Sequence, residues 1–383
     1  MQAQSTHRQF QLSYLRTLVT LLVVAHHSAL AYISFKPPQL PFTMQSLLWT
    51  AFPVTDPGKW PGFDLLVGWN DLFFMALMFL VSGLFVWPSL NRQGAGQFIQ
   101  RRMLRLGVPF IVAAGVLAPL AYCPAYLQSG GDAGLMSYAH AWLALGKWPA
   151  GPAWFLWVLL VFDCVAALCF AAMPRAVEAS ARAMRKVSSR PALLFLALVL
   201  LSIAAYVPMA IRFGSDMWWS WGPFFVQSSR VIHYFVYFAV GVCLGAFGTE
   251  IPLFERTGLL AHRWWLWGLG MVVAFLTIVA LALTGKALAA GFVFPVSCAA
   301  SSMFVTAVVI RFVRPLRWAD SLSANAYGIY LLHYAFVNWV QYTALHWALP
   351  AIVKGLAVWI VAVGLSWMTA ALMRQSKMLA RVV

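Results

Sequence analysis

The stretch Leu12–Ile33, LSYLRTLVTLLVVAHHSALAYI, decides the fold. An α-helix rises 1.5 Å per residue, so a run of this length rises roughly 33 Å, enough to cross the ~30 Å apolar core of a bilayer. Arg16 near its start is its only formal charge. The run is longer than the ~7–15 residues of a secretory core segment, so it reads as a retained anchor despite the ALA at Ala29–Ala31. Two histidines, His26 and His27, stand where each ring carries a desolvation cost. His27 lies roughly 22 Å into the helix, and His26 points about 100° away around it.

Working outward, the same apolar character recurs along all 383 residues: 62% are hydrophobic, only 9% are charged, and the mean hydropathy is +0.80. A soluble domain carries about 25% charged residues, so the chain reads as a polytopic membrane protein. The formal charge of +16 does not indicate nucleic-acid binding, because the cations fall in short clusters between apolar runs rather than on a solvated face. The five cysteines show no metal-type spacing and read as small buried hydrophobes, and no metal is expected.

Ten apolar windows predict an all-α integral membrane protein, a bundle of about ten helices in a single unit over residues 1–383. They are Leu12–Ile33, Leu66–Leu90, Leu106–Leu127, Ala153–Met173, Ala192–Ile211, Val231–Phe247, Trp264–Thr284, Leu288–Phe312, Ala324–His346 and Ala351–Met373. With both termini cytoplasmic, 19 of the 26 Lys and Arg residues, Arg8 and Arg381 among them, fall on the cytoplasmic side and 7 on the other. That asymmetry satisfies the positive-inside rule. The loop 34–65, rich in Pro, Trp and Asp, predicts a structured cap or an interfacial flap. The basic segment Arg175–Pro191 predicts an interfacial helix touching anionic membrane lipids.

Ionisable groups inside a membrane are expensive, so each is a functional candidate. A neutral imidazole is a suitable general base near pH 7, which singles out His27. Arg102 and Arg105, in QRRMLRLGVP, are three residues apart on one helix face and could hold a phosphate by bidentate hydrogen bonds. Ser82 in FLVSGLF offers a hydroxyl or a helix-packing point. Asp163, the acid in the middle of a span, could orient a histidine or sit protonated. In AYGIYLLHYAFVNW, Tyr330 and His333 share a face and could line the cavity of His27.

In this order the segments resemble membrane-bound acyltransferase family 3. The features are the Arg16-to-His27 spacing in LSYLRTLVTLLVVAHH, Phe79-Ser82-Gly83, Arg102-x-x-Arg105 with Pro109, Trp154–Leu156, and the late YGIYLLH. Ser13 stands where the family pattern carries an acid. The resemblance implies acyl transfer from cytoplasmic acyl-coenzyme A, with acetyl-CoA and succinyl-CoA not distinguished, to a hydroxyl of an envelope glycan or similar acceptor. It implies His27 as base, with Arg102, Arg105 and Arg16 at the donor end. Ser82, Tyr330 or Arg16 could stabilise the oxyanion, and His333 joins His27, Ser82 and Tyr330 as a candidate catalytic residue. A bacterial inner membrane follows from the resemblance too. The rival reading is a transporter or flippase of a glycan or lipid-linked substrate. Such proteins often show matching halves and broken helices at midplane, and the sequence shows no matching halves. Oligomeric state is not legible.

Overall fold

The computed structural model describes residues 2–43, 47–248 and 251–382. The side chains of Arg8 and Arg381 lie outside the described residues. The first window becomes α1 (Gln2–Leu30). The second window splits, because α2 (Pro61–Asp71) and α3 (Phe74–Gly83) are separated by a break at Leu72–Phe73. Asn70 Nδ2 holds this break against α1 by donating to the Leu22 carbonyl (2.9 Å). The window was drawn to Leu90, but residues 86–90 belong to the next helix. Phe85, Val86 and Trp87 are as apolar as the span they follow, so hydropathy has no signal for the turn.

From Val86 to Gln128 the chain runs as one helical stretch interrupted only by a kink at Gly94. It comprises α4 (Val86–Arg102), α5 (Val108–Val112) and α6 (Ala118–Gln128), joined by π-helical turns at Met103–Gly107 and Ala113–Leu117. Gly94, at φ 75°, bends α4. Then follow α7 (Leu135–Ala144), α8 (Trp154–Ala172), α9 (Pro174–Ser188) and α10 (Pro191–Phe213). The antiparallel hairpin β1 (Trp218–Trp221) and β2 (Phe224–Gln227) is a small departure from the all-α expectation. The chain ends in α11 (Val231–Gly245), α12 (Leu259–His262), α13 (Trp264–Leu283), α14 (Ala287–Phe312), α15 (Arg317–Ala344) and α16 (Ala351–Met373).

Among the described residues, seven helical stretches are long and apolar enough to cross a membrane. The windows on α1, α11 and α15 are not among the seven: α11 has only 15 residues, while α1 and α15 are long but carry many polar side chains. In α15 those side chains face inward. Tyr327 O–H donates to the Arg105 carbonyl, Asn338 Nδ2 to Ala121 O (2.9 Å), Trp339 Nε1 to Leu120 O (2.9 Å) and Gln341 Nε2 to His27 O (2.9 Å). Two of these acceptors lie one turn before a proline. Pro109 and Pro124 have no N–H for the carbonyls of Arg105 and Leu120, and α15 supplies donors in their place.

The tightest crossing is between α3 and α11, where Gly83, Gly241 and Gly245 let backbone meet backbone. A Cβ added at Gly241 would lie 2.2 Å from the Leu80 carbonyl oxygen, and one at Gly83 would lie 2.3 Å from that of Phe238. Gly241 and Gly245 form the small-xxx-small spacing by which membrane helices approach closely. Gly241→Ala should therefore push the pair apart, costing about 1–3 kcal/mol in the manner of overpacking. Thermal unfolding of the purified variant in detergent measures this, and an unchanged midpoint would refute the crossing. At the other extreme only 6% of the apolar window of α13 is buried, so this helix lies on the periphery against α14.

The described residues between α1 and α2 form a structured cap. Trp49, Val54 and Asp56 are buried, Lys36 Nζ donates to Ile33 O (3.0 Å) and Gly58 O (3.1 Å), and Thr55 exchanges two hydrogen bonds with the Gln128 amide. A buried ion pair, Lys354 Nζ to Asp56 Oδ2 at 2.8 Å, ties the cap to α16. The basic segment expected at the interface is α9, an amphipathic helix. Val177, Ala181, Met184 and Val187 pack on the core and the charged residues face outward.

Candidate active site

α15 brings His333 to within 5.4 Å of His27, measured between ring centroids. Tyr334 meets His27 edge to face at 4.9 Å, and Tyr330 lies 5.7 Å from His333. The Gln341 amide bonds to the carbonyls of His27 and Ser28 fix the height of α1 against α15, so this meeting is built into the helix pair. His333 Nδ1 lies 2.6 Å from the Tyr330 carbonyl. Only a protonated Nδ1 can donate to a carbonyl, which leaves the lone pair of a neutral ring on Nε2. That Nε2 is buried without a hydrogen-bond partner, as is Nδ1 of His27, while the His27 ring is partly exposed. Two imidazoles with uncommitted nitrogens, walled by tyrosines, form a site able to accept and return a proton.

The tyrosines are committed to backbone. Tyr330 O–H donates to Pro152 O, and Tyr334 O–H donates to Thr50 O (3.0 Å), which also accepts from Tyr122 O–H (3.1 Å). A small cavity lined by Tyr330, Tyr334, Leu331 and alanines including Ala118 and Ala153 lies against this wall. His26 stacks on Phe74 at 5.2 Å and is buried. It faces the pair in which Arg230 Nη2 lies 2.7 Å from Asp71 Oδ2.

Eleven residues earlier on α1, roughly 16 Å down the axis, lies a second cluster. Arg16 and Arg105 are both exposed and close enough to repel each other, and Tyr327 bonds to the Arg105 carbonyl. Arg102 sits beside them at the start of the first π-helical turn, its Nε 3.2 Å from Oδ2 of Asp163. A π turn widens the helix locally and is frequent at functional sites. The His27 group and this arginine group thus lie at two heights of one α1–α15 seam, with Tyr327 at the arginine end and Tyr330 and Tyr334 at the histidine end.

A family model described as an acyltransferase domain matches residues 10–371. The chain belongs to membrane acyltransferase family 3. No curated protein and no solved structure matches the chain significantly. The matched span contains every residue of both clusters, so the protein is an integral membrane acyltransferase whose two polar groups lie within the family domain.

In this acyltransferase Ser82 stands apart from the His27 group. Its hydroxyl donates to Met78 O (2.8 Å) in its own helix, beside the glycine crossing of α3 and α11. Among the described residues Asp163 pairs with Arg102 rather than with a histidine. That pairing is not legible in the sequence, because the two residues are 61 positions apart with no periodicity to link them. Tyr334 is the further residue at this site, and its place seven residues after Tyr327, on the same helix face, is the signal that points to it. Among the described residues no group of three His, Cys, Asp or Glu side chains could hold a metal ion.

Proposed function

We propose that this acyltransferase moves an acyl group from a cytoplasmic acyl-CoA to a hydroxyl of an envelope glycan or related acceptor, with His27 as general base. The observation that carries the proposal is the meeting of His27 with His333 and Tyr334 on the same seam as the three arginines. The reading takes the whole chain as one unit of ten crossings with both termini cytoplasmic, set in a bacterial inner membrane. Arg16, Arg102 and Arg105 would face the donor's phosphates from the cytoplasmic mouth. The pantetheine arm would run along α15 toward His27.

In the transfer, His27 removes the acceptor's hydroxyl proton as that oxygen attacks the thioester carbonyl. The tetrahedral intermediate collapses, the carbon–sulfur bond breaks, and the proton passes from His27 to the departing thiolate. A donor is needed for the oxyanion. Tyr330 would first have to release Pro152, and Ser82 its bond to Met78, while Arg16, roughly 16 Å down α1 from His27, stays with the donor's phosphates.

Arg105 tests the donor end cleanly, since its removal strands no buried partner acid. Arg105→Ala should weaken coenzyme A binding about 10-fold or more, the effect of one charged hydrogen-bonding group. Titration calorimetry on the detergent-purified protein measures it. Coenzyme A affinity indifferent to loss of Arg105 and Arg102 together would remove the phosphate site.

A further inference from the structure

Asp163 is fully buried near the middle of α8, and both its oxygens lack a hydrogen-bond donor. The charge facing it is the Arg102 guanidinium, which approaches with Nε and keeps its side chain 23% exposed. The carbon at the centre of that guanidinium lies 4.9 Å from the ring centroid of Phe98, itself buried one turn earlier on α4. Arg102 is thus held on two sides, by a ring against its face and a carboxylate at its Nε side. Its Nη1 and Nη2 make no hydrogen bond among the described residues. Those two nitrogens are the edge of a guanidinium that matches two oxygens of a phosphate.

We infer that Asp163 is a positioning residue for the anionic donor: by pinning Arg102 at Nε against Phe98, it presents the Nη1–Nη2 edge of that arginine to a phosphate group. The carboxylate has a second effect. Arg16, Arg102 and Arg105 gather at one mouth, and Asp163 supplies the negative charge that offsets their mutual repulsion before any ligand arrives. Burying a charge for this purpose is costly, and the cost is met only while Arg102 stays in place. The rigidity that results spares the donor the entropy of ordering a long side chain.

This inference rests on the donor reading above, and the experiment separates the two. Coenzyme A binding is measured by calorimetry in a maltoside detergent free of phospholipid, so that a lipid phosphate cannot stand in for the ligand. Asp163→Asn, which keeps shape and removes charge, should weaken binding about 10- to 100-fold, as loss of a supporting partner does at other preorganised sites. In turnover it should raise the donor KM by a similar factor and leave kcat within about threefold, a split that mere loss of folded protein would not give. Asp163→Glu, which restores the charge, should recover part of the affinity. In an Arg102→Ala background Asp163→Asn should cause no further loss, because the carboxylate then has nothing to position.

Unchanged affinity in Asp163→Asn, beside a wild-type protein that binds coenzyme A, overturns the inference and leaves the donor reading standing. Equal losses from Asp163→Asn in the wild-type and Arg102→Ala backgrounds also overturn it. A wild-type protein that does not bind coenzyme A overturns the donor reading, and this inference with it.

Discussion

His27→Ala is expected to lower acyl transfer by about 10²–10⁴-fold while leaving the fold intact. That factor corresponds to about 2.7–5.5 kcal/mol of transition-state stabilisation. The ring is partly exposed, and α1 is held at this height through main-chain carbonyls that accept from Gln341 and Asn70, so truncating the side chain breaks none of those bonds. Turnover of acyl-CoA with a hydroxyl acceptor, followed by thiol release, is the measurement, with the melting temperature as control. His333→Ala is the informative companion. If the two imidazoles act as a unit, each single loss should cost nearly as much as both together. Normal transfer by the His27 variant would remove it as the base.

The second large effect concerns stability. Lys354→Met leaves Asp56 buried and facing an alkyl chain in place of its cation, and breaking a buried pair on one side costs about 3–5 kcal/mol. Asp56 retains the Gly58 amide at 2.7 Å, which lessens the charge problem without removing it. Adding Asp56→Asn to Lys354→Met should restore much of the loss, since the stranded charge is then gone. The midpoint of thermal unfolding should drop for the single variant and recover for the double. A single variant as stable as the parent would mean the pair does not tie the cap to α16.

Much of the architecture was legible because membrane helices announce themselves by length and apolarity. The ten windows fall on helical chain, though the second runs across three helices and seven stretches are long and apolar enough to cross a membrane, and the basic segment after α8 is the amphipathic α9. What hydropathy could not see was the break between α3 and α4, where apolar residues run through the turn, and the hairpin Trp218–Gln227, whose tryptophans read like those of an interfacial belt. The site divides in the same way. His27, Tyr330 and His333 were legible from helical spacing and from the cost of an imidazole in lipid. Arg102 and Asp163 were each conspicuous alone, yet their pairing depends on how α4 and α8 pack, which local sequence does not encode. FLVSGLF reads more as a packing seam than as a site, and the backbone approach at Gly83 bears out the seam.

One oxygen atom links the cap to the histidines. The Thr50 carbonyl accepts from both Tyr122 and Tyr334, and Tyr334 is the ring lying edge-on to His27. Displacing the cap far enough to admit a bulky molecule would detach both phenols at once and free the ring beside His27. Access and reactivity would then share one latch, and a tryptophan probe in the cap such as Trp49 would report on the condition of an imidazole in another helix.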